Sequence, residues 1–111
     1  MFDNKDVVAI VPARGGSKGL LKKNIALLNG KPLIEYTLDL ALNSSYIDKV
    51  IVSTDDLDIE KISINFGALI IRRPSILATD NASTLDTIRH SIEKTASIND
   101  KTIIIVLQPT S

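Results

Sequence analysis

The chain has 111 residues, of which 44% are hydrophobic, and equal numbers of acidic and basic side chains leave it with no net charge. This length predicts one modest core and, for these residues, a single domain at most. Zero net charge and only two Tyr and two Phe argue against a nucleic acid polymer as partner. The absence of cysteine excludes disulfides and thiolate metal sites. A polar N-terminus and the lack of a membrane-length apolar run predict no membrane partner and a cytoplasmic location.

The first predicted strand, residues 7–11, leads into a basic, glycine-rich loop. The strand is a continuous apolar run, which is typical of a strand covered on both faces in a parallel sheet. Three glycines then allow the backbone to approach an anion closely. Four basic residues follow within a short distance: Arg14, Lys18, Lys22 and Lys23. The pattern predicts a phosphate-binding loop suited to a nucleoside triphosphate.

Two familiar phosphate loops do not match this segment. The dinucleotide fingerprint requires G-x-G-x-x-G, whereas residues 15–19 read GGSKG. The loop of nucleotide hydrolases requires Gly-Lys followed by Ser or Thr, and that triplet does not occur in the chain. A dinucleotide-dependent dehydrogenase is therefore disfavoured. The alternative that stays open is a solvated connection with surface charge.

The next elements alternate between helix and strand. Residues 25–28 form a brief extended piece, and a helix follows with Pro32 in its first turn. Its residues predicted to face the sheet are Leu33, Tyr36 or Thr37, Leu40 and Ala41. The second buried strand is 49–53, and the polar residues 54–56 cap the following helix. That helix buries Ile59, Ile62 and Phe66 and ends at Gly67.

The remaining elements complete an α/β pattern. A third strand at 68–71 precedes a long polar connection that reaches residue 81. Ser83 and Asp86 have the spacing of a capping box, and the helix after them buries Leu85, Ile88 and Ile92. Residues 102–107 form a β-branched fourth strand. This order predicts a Rossmann-like, doubly wound, mainly parallel sheet, with its ligand site at the carboxyl ends of the strands.

A series of motifs in fixed order resembles the N-terminal portion of the acylneuraminate cytidylyltransferase family. The motifs are Ala13-Arg14-Gly15-Gly16-Ser17-Lys18-Gly19, Lys23-Asn24, Asn29-Gly30-Lys31-Pro32-Leu33, Val52-Ser53-Thr54-Asp55, Arg73-Pro74, Leu77-Ala78-Thr79-Asp80 and Leu107-Gln108-Pro109-Thr110-Ser111. The series covers nearly the whole chain. Leu21 and Lys22 stand where the family usually has Pro and Gly, so the shape of the loop is expected to differ there.

The resemblance implies an enzyme that transfers CMP from CTP to a nonulosonic, sialic-acid-like sugar and releases pyrophosphate. The fold would be of the nucleotide-diphospho-sugar transferase type. Residues 1–111 would form the N-terminal nucleotide-binding part of a single domain whose remainder is absent, and this part alone would be inactive. Magnesium would be the cofactor, with its carboxylate ligands in a later segment and none within this chain. The full-length protein would be a homodimer.

Two alternatives stay open beside this interpretation. One is a nucleotidyltransferase for another sugar, such as the related eight-carbon keto acid or a hexose phosphate. The other is a nucleotide-binding fragment without turnover. The nature of the acceptor sugar is not specified by the residues of this chain, because acceptor recognition in the family rests largely on a later segment.

Each motif suggests roles for particular residues. Arg14 suits a triphosphate because a guanidinium holds two phosphate oxygens and keeps its charge. The resemblance implies that Lys23 is catalytic together with Arg14. It places Ala13, Ser17 and Asn24 with them at the triphosphate. It assigns the base and ribose of the nucleotide to Arg73, Ala82 and Thr84. Gln108 would contact the acceptor sugar through its amide. Asp55 and Asp56 are interpreted as a cap and a solvated charge, and His90 as a surface residue.

Overall fold

The computed structural model describes residues 1–13, 16–17, 20–21, 27–28, 31–73 and 84–108. Its strands, in chain order, are β1 (Val7–Pro12), β2 (Gly16–Ser17), β3 (Leu20–Leu21), β4 (Leu27–Leu28), β5 (Lys31–Pro32), β6 (Lys49–Thr54), β7 (Leu69–Arg72) and β8 (Ile103–Val106). The helices are α1 (Leu33–Leu42), α2 (Leu57–Asn65) and α3 (Thr84–Glu93). The four long strands confirm the predicted ones to within one residue at each end.

The long strands form one parallel sheet in the order β7-β6-β1-β8. The chain builds outward from β1 to β6 and β7 and then returns across the sheet to place β8 on the other side of β1. This is the strand order of a Rossmann-like half, and the predicted parallel sheet is confirmed. The order reverses between β1 and β8, so a ligand crevice is expected above that pair, outside the carboxyl ends.

Two apolar clusters cover the two faces of the sheet. Alternate residues of a strand point to opposite faces, so Ala9 and Val11 of β1 meet α1 and α2, whereas Val8 and Ile10 meet α3. Ile34 and Leu38 of α1 and Ile59 of α2 complete the first cluster, and Ile51, Ile88 and Ile92 belong to the second. Helices on both faces confirm the doubly wound prediction.

Helix α1 turns a different face to the sheet from the predicted one. Its buried side chains are Ile34, Leu38 and Ala41, which are spaced by four and three residues along one stripe. Leu40 is 67% exposed, so its predicted place in the core was wrong. Of the two alternatives at the preceding turn, Tyr36 is exposed and Thr37 is half-buried. Leucines and isoleucines occur all around this short helix, so periodicity did not specify its orientation. Pro32 lies in β5 and precedes the helix instead of forming its first turn.

Helix α2 matches its prediction at both ends. Asp56 is the N-cap, and its Oδ1 accepts hydrogen bonds from the amides of Asp58 at 2.8 Å and Ile59 at 3.1 Å. Gly67 follows the helix with φ of +91°, a left-handed conformation that glycine adopts without steric cost. The buried face also includes Ser63, whose hydroxyl donates to the Ile59 carbonyl at 2.8 Å.

Helix α3 buries short polar residues that its apolar pattern did not indicate. Thr87 and Ser91 are buried, and the Ser91 hydroxyl donates to the Thr87 carbonyl at 3.1 Å. This internal bond satisfies the hydroxyl away from water. Leu85 is 56% exposed, so its predicted burial was wrong, whereas Ile88 and Ile92 pack on the sheet as predicted. No helix in the described ranges is long and apolar enough to cross a membrane.

Candidate functional site

The carboxyl edge of the sheet is defined here as the ends of β1, β6, β7 and β8 with the residues just beyond them. It carries three of the predicted site residues, Ala13, Arg73 and Gln108, and Thr84 contacts it through Gln108. The parallel hydrogen-bond ladder continues past three strand ends. The Ala13 amide donates to the Ser53 carbonyl at 2.9 Å, the Arg73 amide to Thr54 at 2.9 Å, and the Leu107 amide to Ile10 at 3.0 Å. After each of these three strands, the backbone therefore leaves the sheet in a direction that is fixed by the neighbouring strand.

Ala13 is the last residue described before the basic loop, and it is buried in the first apolar cluster. Its side chain packs in the core, which leaves backbone groups for any contact with a ligand. Further along, β2 and β3 pair as a short antiparallel ladder, with Gly16 opposite Leu21 and Ser17 opposite Leu20. The residues assigned to phosphate or catalysis that lie outside the described ranges are Arg14, Lys18, Lys22, Lys23 and Asn24.

Arg73 lies at the end of β7 and is buried, with 7% of its surface exposed. Its guanidinium reaches back across the neighbouring strand to Ser53. The terminal NH2 donates to the Ser53 carbonyl at 3.0 Å, and Nε lies 3.4 Å from the Ser53 hydroxyl oxygen, to which it donates. Arg73, the arginine predicted to bind the base, therefore lies at the carboxyl edge. Two of its guanidinium nitrogens already donate hydrogen bonds to Ser53.

Thr84 and Gln108 are brought together although they were assigned to different substrates. The Gln108 Nε2 donates to the Thr84 Oγ1 at 3.2 Å, and both residues are exposed. Thr84 is the first residue of α3, and Gln108 follows β8. This contact joins the helix expected beside the nucleotide to the segment expected beside the acceptor. Ala82 and Ser83, the other residues assigned to that pocket or cap, lie outside the described ranges.

Acidic and basic groups surround a small cavity of about 100 Å³ at the ends of β6 and β7. The Thr54 hydroxyl oxygen accepts the Asp56 amide at 3.1 Å, next to the cap of α2. Glu60 and Arg72 form a two-bond ion pair, with Nε to Oε1 at 2.9 Å and NH2 to Oε2 at 3.1 Å. These hydrogen bonds from Arg72 lower the pKa of Glu60, and the same bonds raise the pKa of Arg72. The predicted capping role of residues 54–56 is thus confirmed for Asp56.

Ser53 and Thr54 belong to one of the quoted motifs, and Thr54 was predicted to help cap the next helix, but their role as buried acceptors between strands was not anticipated. Ser53 and Thr54 are fully or almost fully buried, and they receive hydrogen bonds from β1, β7 and the start of α2. The signal for that role in the sequence is a pair of hydroxyl residues at the end of a buried strand. His90, which was expected at the surface, is half-buried, and its buried Nδ1 has no hydrogen-bond partner in the described part of the chain.

The sheet is parallel, its strand order reverses between β1 and β8, and polar side chains lie at its carboxyl edge. These features place the chain in the Rossmann-like class of nucleotide-binding folds. Within that class the chain belongs to the cytidylyltransferase family, whose model matches residues 8–111.

Relatives and solved structures agree with this membership. The chain is 44% identical to an N-acylneuraminate cytidylyltransferase of Escherichia coli over 105 residues, which are 95% of this chain and 24% of the relative. It is 41% identical to a pseudaminic acid cytidylyltransferase of Campylobacter jejuni, covering 83% of this chain and 40% of the relative. A CMP:2-keto-3-deoxy-manno-octonic acid synthetase complexed with CTP superposes with a TM-score of 0.77 at 30% identity, covering 95% of this chain and 40% of that chain. The chain thus spans less than half of each.

Proposed function

We propose that this chain is the nucleotide-binding part of a cytidylyltransferase that transfers CMP from CTP to a nonulosonic acid sugar and releases pyrophosphate. The observation that carries the proposal is the gathering of Ala13, Arg73, Thr84 and Gln108 at the carboxyl edge of a Rossmann-like sheet. Family membership and relatives named for N-acylneuraminate and pseudaminic acid support the choice of CTP and of the acceptor class.

The chemistry proposed for these residues is positioning and charge neutralisation. The acceptor hydroxyl would attack the α-phosphorus of CTP, forming the new P–O bond as the bond to pyrophosphate breaks. Arg14 would hold phosphate oxygens, and Lys23 would stabilise the negative charge that grows on the departing pyrophosphate. The reaction requires no covalent protein nucleophile. The side chain of Gln108 would orient acceptor hydroxyls through its amide.

The magnesium cofactor stays a prediction, because its ligands were expected in a later segment and not in this chain. No three His, Asp or Glu side chains come together in the described ranges to hold a metal ion. The described residues therefore do not test whether magnesium takes part in the reaction. The division into a nucleotide-binding part, the homodimer and the cytoplasmic location likewise stay predictions from the sequence.

A second candidate is CMP transfer to the related eight-carbon keto acid. It is favoured by the likeness in fold to a CMP:2-keto-3-deoxy-manno-octonic acid synthetase, at 30% identity. Both candidates use CTP and the same carboxyl edge, and they differ in the acceptor. Pyrophosphate release measured with CTP and each acid in turn would separate them.

Nucleotide preference tests the proposal most directly. In the protein expressed from its full reading frame, CTP should raise the melting temperature more than equal concentrations of ATP or GTP, with magnesium present throughout. A ligand at one hundred times its Kd stabilises the folded state by about 2.7 kcal/mol, so a preference for one base is readily measured. Equal shifts for the three nucleotides would contradict the cytidylyltransferase proposal.

A further inference from the structure

The hydroxyl of Ser53 lies on the same face of the sheet as the side chain of Arg73. Ser53 pairs with Ile71 in the parallel ladder between β6 and β7. Arg73 follows Ile71 by two residues and continues that ladder through its amide, so strand alternation turns its side chain to the face of Ser53. Ile51 and Ile71 pack on this face in the apolar cluster that α3 covers. The two side chains therefore meet on the α3 side of the carboxyl edge.

Arg73 directs two of its donors at Ser53. The terminal NH2 donates to the Ser53 carbonyl at 3.0 Å, and Nε donates to the Ser53 hydroxyl oxygen at 3.4 Å. The second contact is longer than a typical hydrogen bond, but both residues are buried, with Ser53 0% and Arg73 7% exposed. A buried charged donor that loses its acceptor has little water to replace it. The hydroxyl therefore restrains the direction in which the guanidinium points.

This restraint matters because an arginine side chain has several rotatable bonds. Binding that must first order such a side chain is weaker than binding to one that is already held in place. The two contacts to Ser53 hold Arg73 at the wall of the cavity of about 100 Å³ that lies at the ends of β6 and β7. A guanidinium has five N–H donors, so two donors directed at Ser53 leave others for further partners.

We propose that Ser53 is a positioning residue for the nucleoside part of CTP, and that it acts through Arg73. This inference rests on the proposed function and on the assignment of Arg73 to the base and ribose of the nucleotide. The Ser53 hydroxyl itself does not touch the ligand. Its loss should weaken the part of the binding that comes from cytosine and ribose, whereas the part that comes from the phosphates should stay the same.

A second buried serine supplies a matched control. Ser53→Ala removes the hydroxyl but keeps the backbone carbonyl, so the hydrogen bonds from the Ala13 amide and the Arg73 NH2 remain. Ser63 is equally buried, and its hydroxyl donates within α2 to the Ile59 carbonyl at 2.8 Å. Ser63→Ala makes the same chemical change in the core without touching Arg73. A general loss of stability is thereby separated from loss of the contact to the guanidinium.

The experiment measures the dissociation constants of CTP and of inorganic tripolyphosphate by calorimetry, in the protein expressed from its full reading frame and at one magnesium concentration. Ser53→Ala should weaken CTP binding by about threefold to tenfold, as expected for one hydrogen bond, and leave tripolyphosphate binding unchanged. Arg73→Met should weaken CTP binding at least as much. Adding Ser53→Ala to Arg73→Met should cause no further loss, because the hydroxyl then has no guanidinium to hold. Ser63→Ala should leave both constants unchanged.

The results that overturn the inference are distinct. Unchanged CTP binding in Ser53→Ala, an equal loss for both ligands, or an additive loss in the double variant each overturns it. If Ser53→Ala does not fold, Ser53→Cys keeps the size, offers a weaker acceptor and is judged by the same comparison of the two ligands. If Arg73→Met does not fold, that comparison decides alone. A wild-type protein without preference for CTP overturns the proposed function as well, whereas a normal preference that Ser53→Ala leaves intact overturns this inference alone.

Discussion

Polar contacts occur both at the carboxyl edge of the sheet and at its amino edge, where the strands begin, but the two sets of contacts differ in burial. At the amino edge the Met1 ammonium donates to Asp48 Oδ1 and to the Tyr46 carbonyl, each at 2.9 Å, and the Val7 amide donates to Asp48 Oδ2 at 2.8 Å. Phe2 and Tyr46 add an edge-to-face ring contact. Except for the Val7 amide, these groups belong to exposed residues. At the carboxyl edge the contacts of Ser53, Thr54 and Arg73 are buried, although the contact between Thr84 and Gln108 there is exposed.

The difference in burial predicts a difference in role. Exposed ion pairs contribute little, because water solvates both charges and screens their attraction. Buried polar groups must keep their partners, since a group left unpaired has no water to replace the lost bond. The amino edge should therefore affect folding stability slightly and ligand binding not at all. The carboxyl edge should affect ligand binding strongly.

The largest effect should follow removal of a charge at the predicted phosphate loop. In the protein expressed from its full reading frame, Lys23→Ala is expected to lower turnover by roughly a hundredfold or more without loss of the fold, as when one preorganised charge facing the transition state is removed. The measurement is pyrophosphate release at saturating CTP and acceptor. Lys18→Ala, in the same loop, is the control and should change turnover much less. Near-normal turnover in both variants would mean that the loop is a solvated connection.

A smaller effect should follow loss of the contact between Thr84 and Gln108. Thr84→Val keeps the shape of the side chain and removes Oγ1, so Gln108 loses its hydrogen bond to this residue. Such a bond typically contributes about 0.5–1.5 kcal/mol, so the KM of the acceptor should rise by about threefold. The KM of CTP should stay the same. Thr84→Ser keeps the hydroxyl and serves as control. A rise confined to CTP would return Thr84 to the nucleotide pocket that the family resemblance assigns to it.

The smallest effect should appear at the amino edge and should depend on pH. Hydrogen bonds from the Met1 ammonium and then from the Val7 amide lower the pKa of Asp48 below its ordinary value. A lowered carboxyl pKa stabilises the fold above the unfolded value of about 3.9, and that stabilisation is lost as the pH falls through the folded value.

Asp48→Asn should therefore lower the urea midpoint slightly near neutral pH, and its difference from wild type should shrink below about pH 4, where the carboxyl becomes protonated. CTP affinity should not change. Asp100→Asn, an exposed carboxyl in the turn before β8, is the control. A loss of CTP affinity in Asp48→Asn would remove the contrast between the two edges.

How well a feature could be predicted from the sequence depends on whether neighbouring residues or distant residues determine it. The strands were predicted to within a residue because β8 is a continuous apolar run, β1 is one up to its final proline, and β6 has an apolar centre at residues 50–52. The orientation of the helices was harder to predict. Helix α1 buries Ile34 and Leu38 and exposes Leu40, although all three are large aliphatic residues. Side-chain orientation on a helix with apolar residues on several faces is decided by packing.

The candidate site shows the limit more clearly. The motifs indicated that Arg73, Thr84 and Gln108 carry function, but none of them indicated a partner. Arg73 meets Ser53 across 20 residues of sequence, and Gln108 meets Thr84 across 24. These contacts depend on which strands are neighbours and in which register they pair, and neither property is encoded within a single motif.

The place of β8 in the sheet also sets a condition on how the chain folds. Strand β1 is made first and pairs on one side with β6, but its other side waits for Ile103–Val106, about 90 residues later. At synthesis rates of roughly 5–20 residues per second, that interval lasts on the order of 5–20 s. During this time β1 presents an open, apolar strand edge that invites pairing with other chains. Transient shielding of that edge by a chaperone would therefore matter more for this topology than for one built from hairpins.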